Sequence, residues 1–288
     1  MESHAKNNWM HATFQHPDSL SNAKSVVKFI WTHPSNQGQR ARALFRAARF
    51  QARGRLLRRR TLAKLGQRSS IWAELHRTAA SKTVYANPPD HPEMLVWQEI
   101  LGPGDLFIDV GANIGSYTVW AGELGAEVIA LEPAADTFVL LAENVNRNGY
   151  PTEALRVAAG ATCGMARMTY GQDSANRLDP IGSAEVRMVT IDSIIKDRRV
   201  AGMKVDVEGF EMEVLRGCEQ ALLDQRIRVI QLEWNSTSID ATGIDRQSIA
   251  SLLAKYGYRI YRPQRDGVLV PVDDLGFGAD VFAMPDNR

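Results

Sequence analysis

The chain has 288 residues but two cysteines, Cys163 and Cys218. So few, so far apart, provide neither a disulfide framework nor a metal-ligand spacing, and they fit a reducing cytoplasm. No run of 18 or more apolar residues occurs, so no membrane-spanning helix is expected. The opening MESHAKNNWMHATFQHP lacks a charged stretch followed by an apolar one, so no secretory leader is expected. Histidine is missing where chemistry would want it. All six (His4, His11, His16, His33, His76, His91) precede residue 101. A general base beyond that point would have to be a carboxylate, Lys, Tyr or Cys. His91 lies just before it and could fold over a site. Acid is absent from Gln39 to Arg68, which holds eleven Lys or Arg. The rest of the chain carries 23 basic residues against 33 acidic ones. A basic arm therefore precedes an acidic body.

The segment Gly104 to Pro133, GDLFIDVGANIGSYTVWAGELGAEVIALEP, is the most informative stretch present. An apolar run over 106–110 stops at Gly111 and Gly115. A helical stretch follows, then a second apolar run over 128–131 and an acid, Glu132. This is the strand, glycine turn, helix, strand and acid of a nucleotide-binding βαβ unit. Glycine allows close approach to a ligand, and a helix start presents free N–H groups. Glu132, 23 residues after Asp109, could accept hydrogen bonds from both ribose hydroxyls of an adenosine. A dinucleotide fingerprint wants G-x-G-x-x-G. Here Asn113 occupies the middle glycine slot, and the pyrophosphate pattern is incomplete. Asp109-x-Gly111-x-Asn113-x-Gly115 is instead similar to the first motif of class I S-adenosylmethionine (SAM) methyltransferases. The cofactor-binding candidates are Asp109, Gly111, Ala112, Asn113, Gly115 and Glu132.

Alternating elements continue to the C-terminus. Strands are expected at about 155–159, 203–208, 228–234, 258–262 and 280–284, and helices at about 134–148, after Gly209 and at 246–256. Residues 165–190 read as a β-rich insertion. Repeated βα units imply a mainly parallel sheet with helices on both faces, whose ligands bind beyond the strand ends where the order reverses. The fourth strand ends Asp206-Val207-Glu208-Gly209-Phe210-Glu211. Alternation along a strand puts Asp206 and Glu208 on one face, where either could take a proton from a substrate hydroxyl. Glu211 suits the start of the next helix. The acidic pair could instead hold Mg²⁺, but no metal ligands are assigned.

Residues 1–18 carry no packing signal. A short helix with Val26, Val27, Ile30 and Trp31 is expected to stop near Pro34. Phe45, Ala48, Ala52 and Leu56 then fall at helical spacing among arginines, with Gly54 weakening the helix. That helix could pack on the domain or lie at the inner face of an anionic membrane as a peripheral contact through residues 40–68. No RNA-binding motif accompanies it, so nucleic acid is not an expected partner. The organisation expected is an N-terminal segment 1–38, a basic helical extension and linker 39–98, and a catalytic domain 99–288.

FIDVGANIGSYT, ALEP, the Asn-rich Glu143 to Asn148, KVDVEGFE at Lys204 to Glu211, and IQLEWN occur in that order. Together they resemble the FkbM-type methyltransferase family over roughly residues 100–235. The resemblance implies a Rossmann-like class I fold with a seven-stranded sheet and SAM-dependent O-methylation. The usual acceptors are hydroxyls of sugars, glycolipids, polysaccharides or natural products. It carries over no catalytic base, so Asp206 and Glu208 remain candidates from the residues alone. The competing classes are an NAD(P)-dependent oxidoreductase and a non-catalytic SAM-binding or membrane-docking module. Calorimetry separates the first two. S-adenosylhomocysteine should bind and NADH should not, and the reverse result would defeat the methyltransferase reading.

Overall fold

A computed structural model describes residues 23–75, 77–169, 178, 181–234, 245–272 and 280–286. Expectations for residues 1–18 lie outside these. The chain opens with α1 (Ala23–Thr32) and α2 (Arg40–Leu57), a hairpin of β1 (Thr61–Leu65) and β2 (Ser69–Ala73), then α3 (Thr78–Tyr85) and α4 (His91–Ile100). The βαβ unit follows as β3 (Leu106–Val110), α5 (Ser116–Leu124) and β4 (Glu127–Leu131). Next come α6 (Ala135–Asn148), β5 (Thr152–Leu155), β6 (Ala158–Ala159), β7 (Gly164–Met168) and β8 (Ala184–Val189). The last third holds α7 (Ile191–Ile195), β9 (Gly202–Val205), α8 (Glu211–Arg216), α9 (Glu219–Leu223) and β10 (Ile230–Leu232). It closes with a helix over Arg246–Lys255, here α10, then β11 (Tyr258–Pro263), β12 (Leu269–Pro271) and β13 (Val281–Pro285).

The main sheet has eight strands in the order β12-β11-β13-β10-β9-β3-β4-β5. Seven were expected; the eighth is the short edge strand β12. Five neighbours, β5, β4, β3, β9 and β10, run parallel, and β13, β11 and β12 close the sheet antiparallel. Strand order reverses between β3 and β9, so the switch point lies there. The expected β-rich insertion is a separate three-stranded sheet, β6-β8-β7. The strand expected at 155–159 divides between the two sheets, because β5 ends at Leu155 and β6 begins at Ala158.

Period-two alternation sorts the sheet residues into two cores. Ile108, Val110, Met203, Val205, Ile230 and Leu232 face one side, where residues of α8, α9 and α10 cover them. Phe107, Val128, Ala130, Val229 and Phe282 face the other, in one cluster with Trp97, Trp120, Phe50, Ile71 and Tyr85. The N-terminal extension is thus part of a core, and not an arm hung on the body. Trp97 of α4 sits where a Cβ on Gly202 would fall 2.3 Å from its ring, and its Nε1–H donates to Gln231 Oε1 at 2.5 Å.

Side chains from the βαβ unit satisfy the hairpin's backbone. Glu123 of α5 accepts from the N–H groups of Gln67 and Ser69. Asn148 of α6 accepts from Ser70 N–H and donates to Ser70 C=O. Asn144, one turn earlier, accepts from Trp72 N–H and donates to Ile114 C=O, both at 2.8 Å. The Asn-rich helix end therefore caps a sheet edge that would otherwise bury unpaired groups. Among the described residues, no helix is long and apolar enough to cross a membrane. Cys163 is exposed, Cys218 is buried, and both are free.

Asn144→Ala would strip partners from a part-buried N–H and a buried C=O. It should cost roughly 2–4 kcal/mol in urea unfolding with the slope unchanged.

Candidate active site

The turn after β3 needs left-handed backbone at three positions: Gly111 (φ 79°), Asn113 (φ 51°) and Gly115 (φ 92°). Asparagine tolerates that region better than most side chains, which accounts for Asn113 in the middle slot. Gly111 has a further reason to lack a side chain, since a Cβ there would lie 1.9 Å from the carbonyl oxygen of Asp206. The cofactor turn and the end of β9 are in direct backbone contact. The N–H groups of Gly111 and Ala112 both donate to Leu131 C=O, so they fasten the turn to β4.

Glu132 is 7% exposed. Its Oε2 accepts from Asn113 N–H at 2.9 Å and its Oε1 from Ala134 N–H at 2.8 Å. Each oxygen keeps a further acceptor site, as a vicinal diol requires. Burial, only partly offset by those two hydrogen bonds, pushes its carboxyl up to about 7. At the first position of α5, the buried hydroxyl of Ser116 lacks a hydrogen-bond partner. An orphaned hydroxyl, a spare pair of acceptors and a side-chain-free approach suit a polar nucleoside ligand. Asp109 sits elsewhere. It is 1% exposed, under the turn, where it accepts from Thr118 Oγ1 at 2.6 Å and joins strand to helix.

At the switch point, register builds a row of acids. Val205 pairs with Val110 and Leu232, and Leu232 pairs with Val281. One step further along each strand come Gly111, Asp206, Glu233 and Asp280, side by side at strand spacings of roughly 4.8 Å. The layer below holds Asp109, Lys204, Gln231 and Phe282. Lys204 Nζ contacts Asp206 Oδ2 at 2.6 Å and lies 4.6 Å from the Tyr117 ring centroid. Gln231 Nε2 donates to Asp280 at 2.7 Å and to Tyr117 at 3.2 Å.

β9 ends at Val205, three residues short of the expected Glu208. Glu208 (φ 53°) and Gly209 (φ 104°) have left-handed backbone, which no strand accommodates. Alternation therefore does not place Glu208; the turn does. Even so, one oxygen each from Asp206, Glu208 and Glu233 lie within 4.8 Å of one another. These three could hold a cation, and no metal ligands were assigned from sequence. The sequence reading also missed Glu233, Asp280 and Lys204, although Lys204 and Glu233 lie inside the motifs KVDVEGFE and IQLEWN. Glu211 accepts from Gly209 N–H at 3.1 Å and shapes the turn. His91 faces Ser35, its Nδ1 3.0 Å from the hydroxyl.

Proton affinities diverge across the row. Burial would raise Asp206, but the adjacent Lys204 ammonium outweighs it and holds the carboxyl low; Glu233 hydrogen-bonds to it as well. Burial, then Asp206, Glu208 and Glu211, push Glu233 up, so Glu233 is the proton donor in that bond. Burial, then Asp206 and Glu211, push Glu208 up to about 8. The Asp206 side chain nonetheless keeps 36% exposure.

A doubly wound sheet with this turn, this acid after β4 and an acidic row at the switch point fits a Rossmann-like class I methyltransferase with SAM as methyl donor. The chain belongs to the FkbM methyltransferase family, whose domain matches residues 109–260. That membership sets it apart from nicotinamide-dependent oxidoreductases. The hexuronic acid methyltransferase AglP of Haloferax volcanii is 29% identical over 170 residues, spanning 56% of this chain and 67% of the relative. The 31-O-demethyl-FK506 methyltransferase FkbM of Streptomyces tacrolimicus is 27% identical over 204 residues, spanning 57% and 76%. Among solved structures, a TehB-like SAM-dependent methyltransferase from Corynebacterium glutamicum superposes with a TM-score of 0.42 at 10% identity, covering 68% of this chain and 87% of that one.

Glu132 binds its proton more tightly folded, at about 7, than at its ordinary 4.5. Stability of the ligand-free protein should therefore fall as pH rises from about 4.5 through about 7, by roughly 3 kcal/mol from this group. Glu132→Gln should flatten that decline in denaturation series at fixed pH steps. It should also weaken S-adenosylhomocysteine binding about tenfold or more, and unchanged affinity would remove Glu132 from the cofactor site.

Proposed function

We propose that this protein methylates a hydroxyl of a sugar, glycolipid, polysaccharide or natural-product acceptor. The observation that carries this reading is the set Asp206, Glu208 and Glu233, gathered within 4.8 Å at a strand end whose Asp206 carbonyl meets Gly111 of the turn. A hydroxyl that attacks a methyl group must lose its proton, and a carboxylate of matched affinity can take it. The names of the two relatives, one acting on a hexuronic acid and one on 31-O-demethyl-FK506, support oxygen-bearing acceptors of this kind.

Gly111, Asn113, Gly115 and Glu132 would hold SAM, which would supply an electrophilic methyl group when bound. The protein's part is to orient the acceptor and move a proton. Asp206, kept charged by Lys204, accepts a hydrogen bond from the hydroxyl and aims its oxygen. A carboxylate held so low is a weak base. Glu208, with its raised affinity, is the better proton acceptor near neutral pH. Alignment of bound reactants contributes up to roughly 7–11 kcal/mol and is the larger effect.

The acceptor side is completed by the extension. Lys82 of α3 lies 3.8 Å from Asp90 and responds to the charges of Asp206, Asp280 and Glu233. Glu93 of α4 is pushed up by burial and then by Asp280 and Asp90. Carboxyl groups in this number offer many acceptors for the hydroxyls of a polyol. A lipid-linked acceptor would also bring the basic segment 40–68 to a membrane surface.

Activity should rise with pH as Glu208 loses its proton, through about pH 8. Glu208→Gln should lower kcat about 100-fold or more, abolish that ascending limb and leave S-adenosylhomocysteine affinity unchanged. Asp206→Asn should likewise spare cofactor binding and lose turnover, and the limb of any residual activity should move to lower pH, because the Asp206 charge is one cause of the raised Glu208. A Glu208→Gln enzyme with full activity and the same pH profile would remove Glu208 as base.

A further inference from the structure

Helix α2 has two apolar stripes on opposite sides. Ala43, Ala47, Phe50 and Gly54 are buried against the body. Gly54 sits so close to Leu75 that a Cβ would fall 2.8 Å from the Leu75 Cβ, which is why a glycine in mid-helix is tolerated there. At 3.6 residues per turn, Phe45, Ala48, Ala52 and Leu56 lie on the other side. All four are exposed, Phe45 by 72% and Leu56 by 81%. Packing on the domain therefore involves the first stripe and leaves the second outward.

The outward stripe is not an isolated irregularity. Of the eleven large hydrophobic side chains exposed among the described residues, six fall between residues 27 and 62 of the chain: Val27, Trp31, Phe45, Leu56, Leu57 and Leu62. Exposed arginines flank it, with Arg42 and Arg49 beside Phe45 and Arg58 to Arg60 just past the helix end. The Arg40 guanidinium stacks over Trp31 at 5.0 Å.

We propose that the outward face of α2 docks on an anionic lipid bilayer. A stripe of apolar side chains bordered by arginines suits the headgroup region, where the apolar groups enter the acyl boundary and the guanidiniums reach phosphate. Part of the segment's charge lies on the same surface, while Arg46, Arg60 and Arg68 turn to Tyr85, Glu143 and Glu123 of the body. Residues 39–68 hold eleven basic side chains and no acid, while the rest carries an excess of acid. An anionic bilayer thus attracts this face and repels the remainder, which orients the protein. A nucleic acid would answer the arginines but leave Phe45 and Leu56 unrewarded. The proposal is independent of the acceptor.

Co-sedimentation of the full chain tests it, with vesicles of phosphatidylcholine alone and vesicles mixed with phosphatidylglycerol. Binding is expected to the mixed vesicles only and should weaken as salt rises. The double variant Phe45→Ser/Leu56→Ser should bind them about tenfold more weakly or worse, and Arg42→Gln/Arg49→Gln should do the same. Both variants change only outward positions, and unchanged S-adenosylhomocysteine affinity verifies that they are folded. Three results would overturn the proposal. One is absence of vesicle binding by the parent chain. Another is binding that the folded variants retain in full. The third is a parent chain that self-associates through this stripe in sedimentation velocity without binding vesicles.

Discussion

The site depends on one buried cation. Lys204 lies in the layer beneath the strand ends, 4% exposed, with Asp109 beside it in register and Asp206 in contact at 2.6 Å. Burial by itself would drive its proton off. Asp206, Asp109 and Asp280 outweigh that and hold the ammonium charged. In return the ammonium keeps Asp206 ionised in a place where neighbouring acids take up protons. Removing one partner of such an arrangement strands the others, which is far costlier than never having built it. Asp206, Glu208 and Glu233 can differ in proton affinity because one of the three is tied to Lys204.

The second constraint is steric. The carbonyl of Asp206 occupies the space in which Gly111 would carry a side chain. The glycine turn after β3 and the end of β9 are therefore packed backbone to backbone. Their separation is set by covalent geometry and sheet register, with no adjustable side chain between them. Such a contact is stiff, as alignment of two reactants requires.

The N-terminal extension lies outside the family's matched region, 109–260, yet it is built into the molecule. Its hairpin edge is capped by Asn144 and Asn148, its turn by Glu123, and α4 enters the sheet face through Trp97. It brings Lys82 and Glu93 within electrostatic reach of Asp280 and leaves the outward stripe of α2 exposed.

The sequence by itself determined whatever depends on neighbours along the chain. The left-handed demands of the turn are written in Gly111, Asn113 and Gly115, and the helices over 134–148 and 246–256 in their apolar spacing. The same is true of the strand-turn-helix-strand layout that puts Glu132 beside the turn. Local reasoning failed where local conformation broke its own pattern. It extended β9 through Glu208, which the left-handed turn excludes. Only the tertiary structure decided the row Asp206, Glu233 and Asp280, because register between strands distant in sequence is set by long-range pairing. It alone showed the Asn-rich helix end to be an edge cap and Gly54 a close-packing residue. It also settled which apolar stripe of α2 is buried. Two stripes of similar composition compete for one core, and the choice belongs to the shape of the surface they meet.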